Sequence, residues 1–222
     1  MRIRRIVDLS IVLDGNTQTY PGDPRPQLRP VTTIEADGWN VLSLSTTTHV
    51  GTHVDAPRHL VVGGVGLENL DLCSFVGPGV IADVTGRGAG EAIAWADLIP
   101  FAPLLGPGVI LAVRTGWSDR HLGTDRYHDH PYLAVEAARW LVERRVKLVA
   151  LDVATPDVPE RGRRPPGFDW PVHRLLLGAG VLVAEHLANL DRVAGRRFRA
   201  YALPIPIVGS DGAPARIVAD LA

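Results

Sequence analysis

Between Thr48 and Leu60 the chain reads THVGTHVDAPRHL, which gathers His49, His53, Asp55 and His59 into one short stretch. Imidazole nitrogens mixed with a carboxylate suit divalent cations such as zinc or manganese. The preceding residues, Val41 to Thr48, alternate and are rich in β-branched side chains, so the chain is expected to run as a strand over Val41 to Asp55. In extended backbone alternate side chains share a face, which puts His49, Gly51, His53 and Asp55 on one side and Val50, Thr52 and Val54 on the other. A helix would also align His49 with His53, but Gly51 between them and Pro57 after them oppose it. A solitary histidine near a strand end is ordinarily hydrogen-bonded or solvated, and His59 alone would read that way. Two histidines and a carboxylate on one face have no comparable packing explanation, because apolar side chains fill such a face at lower cost.

Three protein ligands leave one position of a tetrahedral site open for water, the arrangement of a catalytic rather than a structural metal. His173 and Glu185 are the best distant candidates to complete the set, since each falls at a junction of helix and strand, although spacing alone does not single them out. Tyr20 sits in a loop rich in proline and glycine and is a candidate pocket wall or an ordinary buried aromatic.

The elements that must position these groups belong to a chain of 222 residues, long enough for a sizeable core and without a break in composition, so one domain over residues 1–222 is expected. With 23 basic and 24 acidic residues the net charge is -1, which provides no footprint for nucleic acid or an anionic membrane surface and points to a small-molecule partner. No apolar run has the length of a membrane span, and the N-terminus lacks a cleavage site, so a soluble cytoplasmic protein is expected. Cys73 is the single cysteine and reads as a buried structural thiol.

The pattern predicts a first strand over Ile3 to Leu9, a bent loop over Asp14 to Pro30, and short buried strands at Val80 to Val84, Val109 to Val113, Leu148 to Val153 and Val181 to Ala184. Pro131 is expected to open a helix ending near Arg145, and His173 another that ends at Gly178 or Gly180. Asp152, Thr155 and Asp157 fall on the loop leaving the Leu148 strand. Phe198 to Pro204 and Ala215 to Leu221 read as strands joined across Gly209-Ser210-Asp211-Gly212. Ser210 has no nucleophile context, and no G-x-S-x-G elbow occurs.

THVGTHVDAPRH resembles the signature HxGTHxDxPxH of the cyclase family, which includes the bacterial kynurenine formamidases and the isatin hydrolases. DLSIVLDGNTQTYPGDP, VRTGW, LVALDVATPD, HRLLLGAGVLVAEHLANL and LPIPIVGSDGAPARIVA resemble further family segments, so the likeness spans nearly the whole chain. It implies an α/β fold of the swivelling β/β/α type, β-rich with a few packed helices, and a homo-oligomer, dimer or higher. It implies two divalent metal ions, zinc first and manganese as the other candidate. His49, His53 and Asp55 would hold one, with Asp55 bridging to a second completed by His173 and Glu185, and His59 would be the catalytic histidine. The implied reaction is hydrolysis of a carbon–nitrogen bond other than a peptide by metal-activated water, with N-formylkynurenine going to kynurenine and formate. The alternatives are opening of a cyclic amide such as isatin or of a lactone, a polyketide-type cyclisation, and a non-catalytic protein with one structural metal. The chain departs from the family at Thr155, where serine is usual, and at His186, where asparagine or a small residue is usual. Both are expected near the substrate pocket, and the insertion Val158 to Gly167, rich in proline and arginine, reads as a plain exposed loop in preference to a mobile rim of the site.

Overall fold

The computed structural model describes residues 5–160 and 164–221. The expected first strand is found as β1 (Arg5–Asp8); Ile3 and Arg4 lie outside the described residues, as do Arg161 to Arg163 of the insertion. There follow β2 (Gln27–Thr32), α1 (Ile34–Asp37), β3 (Val41–Ser45), β4 (His53–Asp55), β5 (Val76–Asp83), β6 (Ala92–Ile93), α2 (Trp95–Leu98), β7 (Ile110–Arg114) and α3 (Trp117–His121). The second half contributes β8 (Tyr132–Leu133), α4 (Val135–Glu143), β9 (Leu148–Leu151), α5 (Pro171–Gly178), β10 (Leu182–Glu185), β11 (Phe198–Pro204) and β12 (Gly212–Leu221).

The main sheet runs β1-β12-β11-β5-β7-β9-β10-β4, and β12 also pairs with β4. That second pairing closes seven strands into a barrel-like ring, with β1 added along the far half of β12. β5, β7, β9 and β10 pair parallel with one another in that order, whereas every pairing of β4, β11 and β12 is antiparallel. Alternation along the parallel strands separates two cores. Leu111, Val113, Val149, Leu151 and Val183 face one side and pack with Leu98, Ala137, Leu141 and Leu176 of the helices. Ile110, Ala112, Leu148, Ala150, Leu182 and Ala184 face the other, with Ala200, Ala202, Ala213 and Ala219 from the antiparallel strands. The many alanines on that side suit a small ring whose interior must be filled by side chains. Gly79 permits one close approach: a Cβ there would lie 2.0 Å from the Phe198 ring.

Four expectations are corrected. The run from Val41 to Asp55 is not one strand: β3 pairs with β2 in a separate two-stranded ribbon, and the chain must turn before β4 can join the ring. Gly51, with φ +55, lies within that turn. The loop expected to extend to Pro30 ends earlier, because β2 is the partner of β3; Pro30 is tolerated there by a two-stranded ribbon with a register shift beside it. Pro131 does not open α4, which starts at Val135. Tyr132 and Leu133 pair with β6, and the amides of Leu133 and Ala134 bond to Pro156 and Ile93, holding this segment extended. Cys73 is exposed, and its neighbour Phe75 fills the core position of that turn.

Candidate metal centre

β4 is the strand that closes the ring. Val54 enters the enclosed core, so His53 and Asp55 must leave on the opposite face. Across the β4–β10 pairing His53 stands opposite Glu185, and Nε2 of His53 lies 3.3 Å from Oε2 of Glu185. Pro171 occupies the first turn of α5, where its missing N–H costs nothing, and His173 follows on the same turn. Asp157 caps that turn, its carboxylate accepting from the amides of Val172 at 2.8 Å and His173 at 3.0 Å. His49 arrives from the turn before β4, and His59 from the single helical turn Pro57–His59 after it.

Asp55 is the hub. Its Oδ1 lies 2.8 Å from His49 Nδ1 and 3.2 Å from His53 Nε2, and its Oδ2 is 3.4 Å from His173 Nε2. Glu185 Oε1 is 3.1 Å from the same His173 nitrogen. Each of these three imidazoles is pinned from outside by its other nitrogen. His53 Nδ1–H donates to the Gly51 carbonyl at 2.8 Å, His173 Nδ1–H to Asp157 Oδ2 at 2.7 Å, and His49 Nε2–H to Asp211 Oδ2 at 3.0 Å. An outer acceptor of this kind fixes the ring and tautomer of a metal-ligating histidine.

The inner atoms are poorly served by one another. His53 Nε2 and Asp55 Oδ2 are buried and make no hydrogen bond despite their close neighbours. A buried polar atom left unpaired costs about 1–3 kcal/mol; a cation would satisfy both. Ligand atoms of His49, His53 and Asp55 lie within 4.8 Å of one another, as do those of Asp55, His173 and Glu185. The donor set therefore fits a divalent metal. Two further triplets meet the same distance, His53 with Glu185 and His186, and His49 with His59 and Asp211.

Charge in the centre follows the same logic. Burial opposes a proton on His49, but hydrogen bonds to Asp211 and Asp55 outweigh it and lift its pKa to about 9. Burial likewise opposes the charge on His53, whose pKa is nevertheless raised to about 10 by Asp55 and Glu185. Burial alone would push Asp55 up; the surrounding histidines hold it well below the usual carboxylate range. The field of the carboxylates is thus strong enough to keep cations on buried rings. His59 differs, because burial depresses its pKa and leaves the imidazole neutral near neutrality.

A cavity of about 290 Å³ opens onto the cluster, walled by Tyr20, Leu60, Ala154, Thr155, Trp170 and His186. Tyr20 stands edge-on to Trp170 with ring centroids 5.6 Å apart, and its hydroxyl has no partner. Thr155 is buried and its Oγ1 accepts from the Asp157 amide at 3.3 Å. His186 follows β10 in a left-handed conformation, φ 57, with Nδ1 2.9 Å from the Tyr127 hydroxyl.

Comparison with known proteins agrees with this architecture. Residues 7–158 match the Cyclase family model, described as "Putative cyclase". The kynurenine formamidase of Bacillus cereus is 30% identical over 220 residues, covering 98% of each chain. That of Salinibacter ruber is 30% identical with 96% of each covered. This chain belongs to the cyclase family. Among solved structures, isatin hydrolase A from Labrenzia aggregata superimposes with a TM-score of 0.86 at 24% identity, over 98% of this chain and 94% of the other. The cyclase-family fold is therefore shared, including the barrel-like sheet with few helices.

Within this cyclase-family chain the structure brings together all five expected ligands and places His59 beside them, its ring 4.1 Å from that of His49. Sequence reading missed Asp211, which touches both His49 and His59, and left Asp157 without a role. Asp211 lies in the turn before β12, and only the β4–β12 pairing, which sets Gly212 opposite Asp55, brings it to the site. No local pattern signals that pairing. Asp157 was hidden for the same reason: it caps α5 from fifteen residues upstream, while the position just before the helix, where a capping residue is ordinarily read, is Trp170.

Proposed function

We propose that the chain is a metal-dependent hydrolase that cleaves the formamide carbon–nitrogen bond of an aryl formamide, with N-formylkynurenine the first substrate. The observation that carries this reading is the convergence of His49, His53, Asp55, His173 and Glu185 beside a neutral His59, in a chain 30% identical to kynurenine formamidases over nearly its full length. His49, His53 and Asp55 would hold one divalent ion, and Asp55, His173 and Glu185 a second, with zinc favoured by the histidine content and manganese accepted by the carboxylates. Bound there, such ions lower the pKa of water and polarise a carbonyl. His59 takes the proton of the attacking water and delivers it to the leaving nitrogen, so that formate and a free amine result. Tyr20, with its unpartnered hydroxyl, and Trp170 bound the space for the aryl ring, and Thr155 and His186 complete its floor.

Residues 1–222 are read as one catalytic unit acting as a homo-oligomer in the cytoplasm. The ribbon β2–β3 supports the oligomer: none of its residues is buried, and Val31, Trp39, Leu42 and Leu44 are exposed. A lone exposed Cys73 is compatible with a reducing compartment, and no described helix is long and apolar enough to cross a membrane.

The test is hydrolysis of N-formylkynurenine by the purified protein, followed by the appearance of kynurenine, with isatin and simple lactones as parallel substrates and metal content measured on the same sample. Turnover of isatin or a lactone in preference to the formamide would move the substrate; activity unaffected by exhaustive metal removal would overturn the reaction class.

A further inference from the structure

The geometry points to Asp211 as a positioning residue that couples the metal-facing His49 to His59 and fixes which nitrogen of His59 does chemistry; this rests on the role given to His59 above. Asp211 Oδ2 accepts from His49 Nε2–H at 3.0 Å and faces His59 Nδ1 at 3.4 Å, so one carboxylate oxygen serves two rings whose centroids lie 4.1 Å apart at a tilt of 38°. The other oxygen accepts from the Thr48 hydroxyl at 2.8 Å, which stops the carboxylate from rotating away. The backbone is anchored too, because the Ala56 amide donates to the Asp211 carbonyl at 2.9 Å.

The next residue shows that the contact is built closely. A Cβ on Gly212 would lie 2.7 Å from His49 Cε1, so the ring rests directly on the Gly212 backbone beside Asp211. An ionised carboxylate accepts only, so both facing ring nitrogens must carry hydrogens. With Nδ1 as the N–H, the lone pair of His59 is on Nε2, the nitrogen away from Asp211. That tautomer is the one a proton carrier facing the cavity requires. Asp211 also does for His49 what Asp157 does for His173, but Asp157 has no second histidine to hold.

Three variants of the full chain test this: Asp211→Ala, Asp211→Asn, which keeps an acceptor oxygen, and Thr48→Val, which only releases the carboxylate. Nitrogen-15 spectra of the histidine rings, recorded on metal-free protein at a pH where His59 is neutral, report the tautomer without any turnover. The expected result is Nδ1–H at His59 in the parent and in Asp211→Asn, and a shift toward Nε2–H in Asp211→Ala, with Thr48→Val between. With zinc saturating, Asp211→Ala should lose ~10–100-fold in kcat, with KM within about threefold and zinc content equal to the parent, and Asp211→Asn should recover most of the loss. An unchanged His59 tautomer in Asp211→Ala overturns the proposal, as does a loss of activity that excess zinc fully restores, since Asp211 would then act only through His49. If Asp211→Ala does not fold, an unchanged tautomer in Thr48→Val overturns the proposal in its place. A parent protein that hydrolyses none of the substrates but shows the expected tautomers fails the proposed function and leaves the positioning intact.

Discussion

Asp157 grips His173 at two points, accepting from its backbone amide at 3.0 Å and from its ring Nδ1 at 2.7 Å through the same Oδ2. One carboxylate thus caps α5 and orients the ring. Replacing it with alanine should cost about 1 kcal/mol for the lost cap and lower metal affinity ~10–100-fold. Denaturant midpoints and zinc titration on the same variant separate the two effects; a change in stability with no change in metal affinity would show that the ring is held by packing alone.

His59→Gln should leave metal content at the parent level and reduce kcat by ~10²–10⁴, the usual contribution of a positioned proton carrier. The expectation follows from its place, against the His49 ring yet absent from both triplets centred on Asp55. Elemental analysis beside the rate measurement decides it.

Chelation should abolish turnover and lower the melting temperature, with stability restored by added zinc in proportion to ln[metal]. The cause is the buried, unpaired His53 Nε2 and Asp55 Oδ2. Metal affinity should also fall as the pH is lowered, because protons compete for His49 and His53, whose pKa values near 9 and 10 show how firmly the carboxylates hold a cation. Isothermal titration at several pH values measures the protons released.

Gly212→Ala should displace the His49 ring, since the new methyl carbon would sit 2.7 Å from Cε1. A ring held by carboxylates on both sides gives way poorly, so zinc affinity should drop ~10-fold or more, as it does when a ligand's orientation is disturbed. Equal affinity in the variant would mean that the loop before β12 shifts instead.

Acid stability should depend on His130, buried and neutral with its Nδ1–H on the Pro131 carbonyl at 2.9 Å. Burial lowers its pKa from 6.5 to about 4. The unfolded chain therefore binds a proton that the folded chain refuses between these values, and the contribution to stability is complete above about pH 6.5 and lost as the pH falls toward 4. The size is about 3 kcal/mol at roughly 1.4 per pKa unit. Urea midpoints against pH should fall less steeply for His130→Asn than for the parent.

What could be read from the residues divides along a physical line. The parity of His53 and Asp55 is local, since two residues of one strand share a face, and it survives although the longer strand around it does not. His49 lies beside them by way of a turn at Gly51 and not by the strand alternation that was expected to place it there. His173 and Glu185 were legible mainly through family likeness, because a pairing of His53 with Glu185 joins segments 132 residues apart. Asp211 was illegible for the same cause, and nothing in the G-S-D-G turn distinguishes it from an ordinary hairpin. Pro131 and Pro30 misled in opposite directions, each because the pairing partner of its segment decides whether the backbone is extended.

The ring closure by β4 has a kinetic consequence. Its partners β10 and β12 are made late in the chain, so the ligands cannot meet until loops of more than a hundred residues have closed, and such contacts form slowly. A chain arrested during synthesis or partly unfolded holds only scattered histidines. Metal capture is then the mark of a finished molecule, and zinc uptake during refolding should lag behind helix formation, with the strand that carries His53 and Asp55 as the last stave set in the barrel.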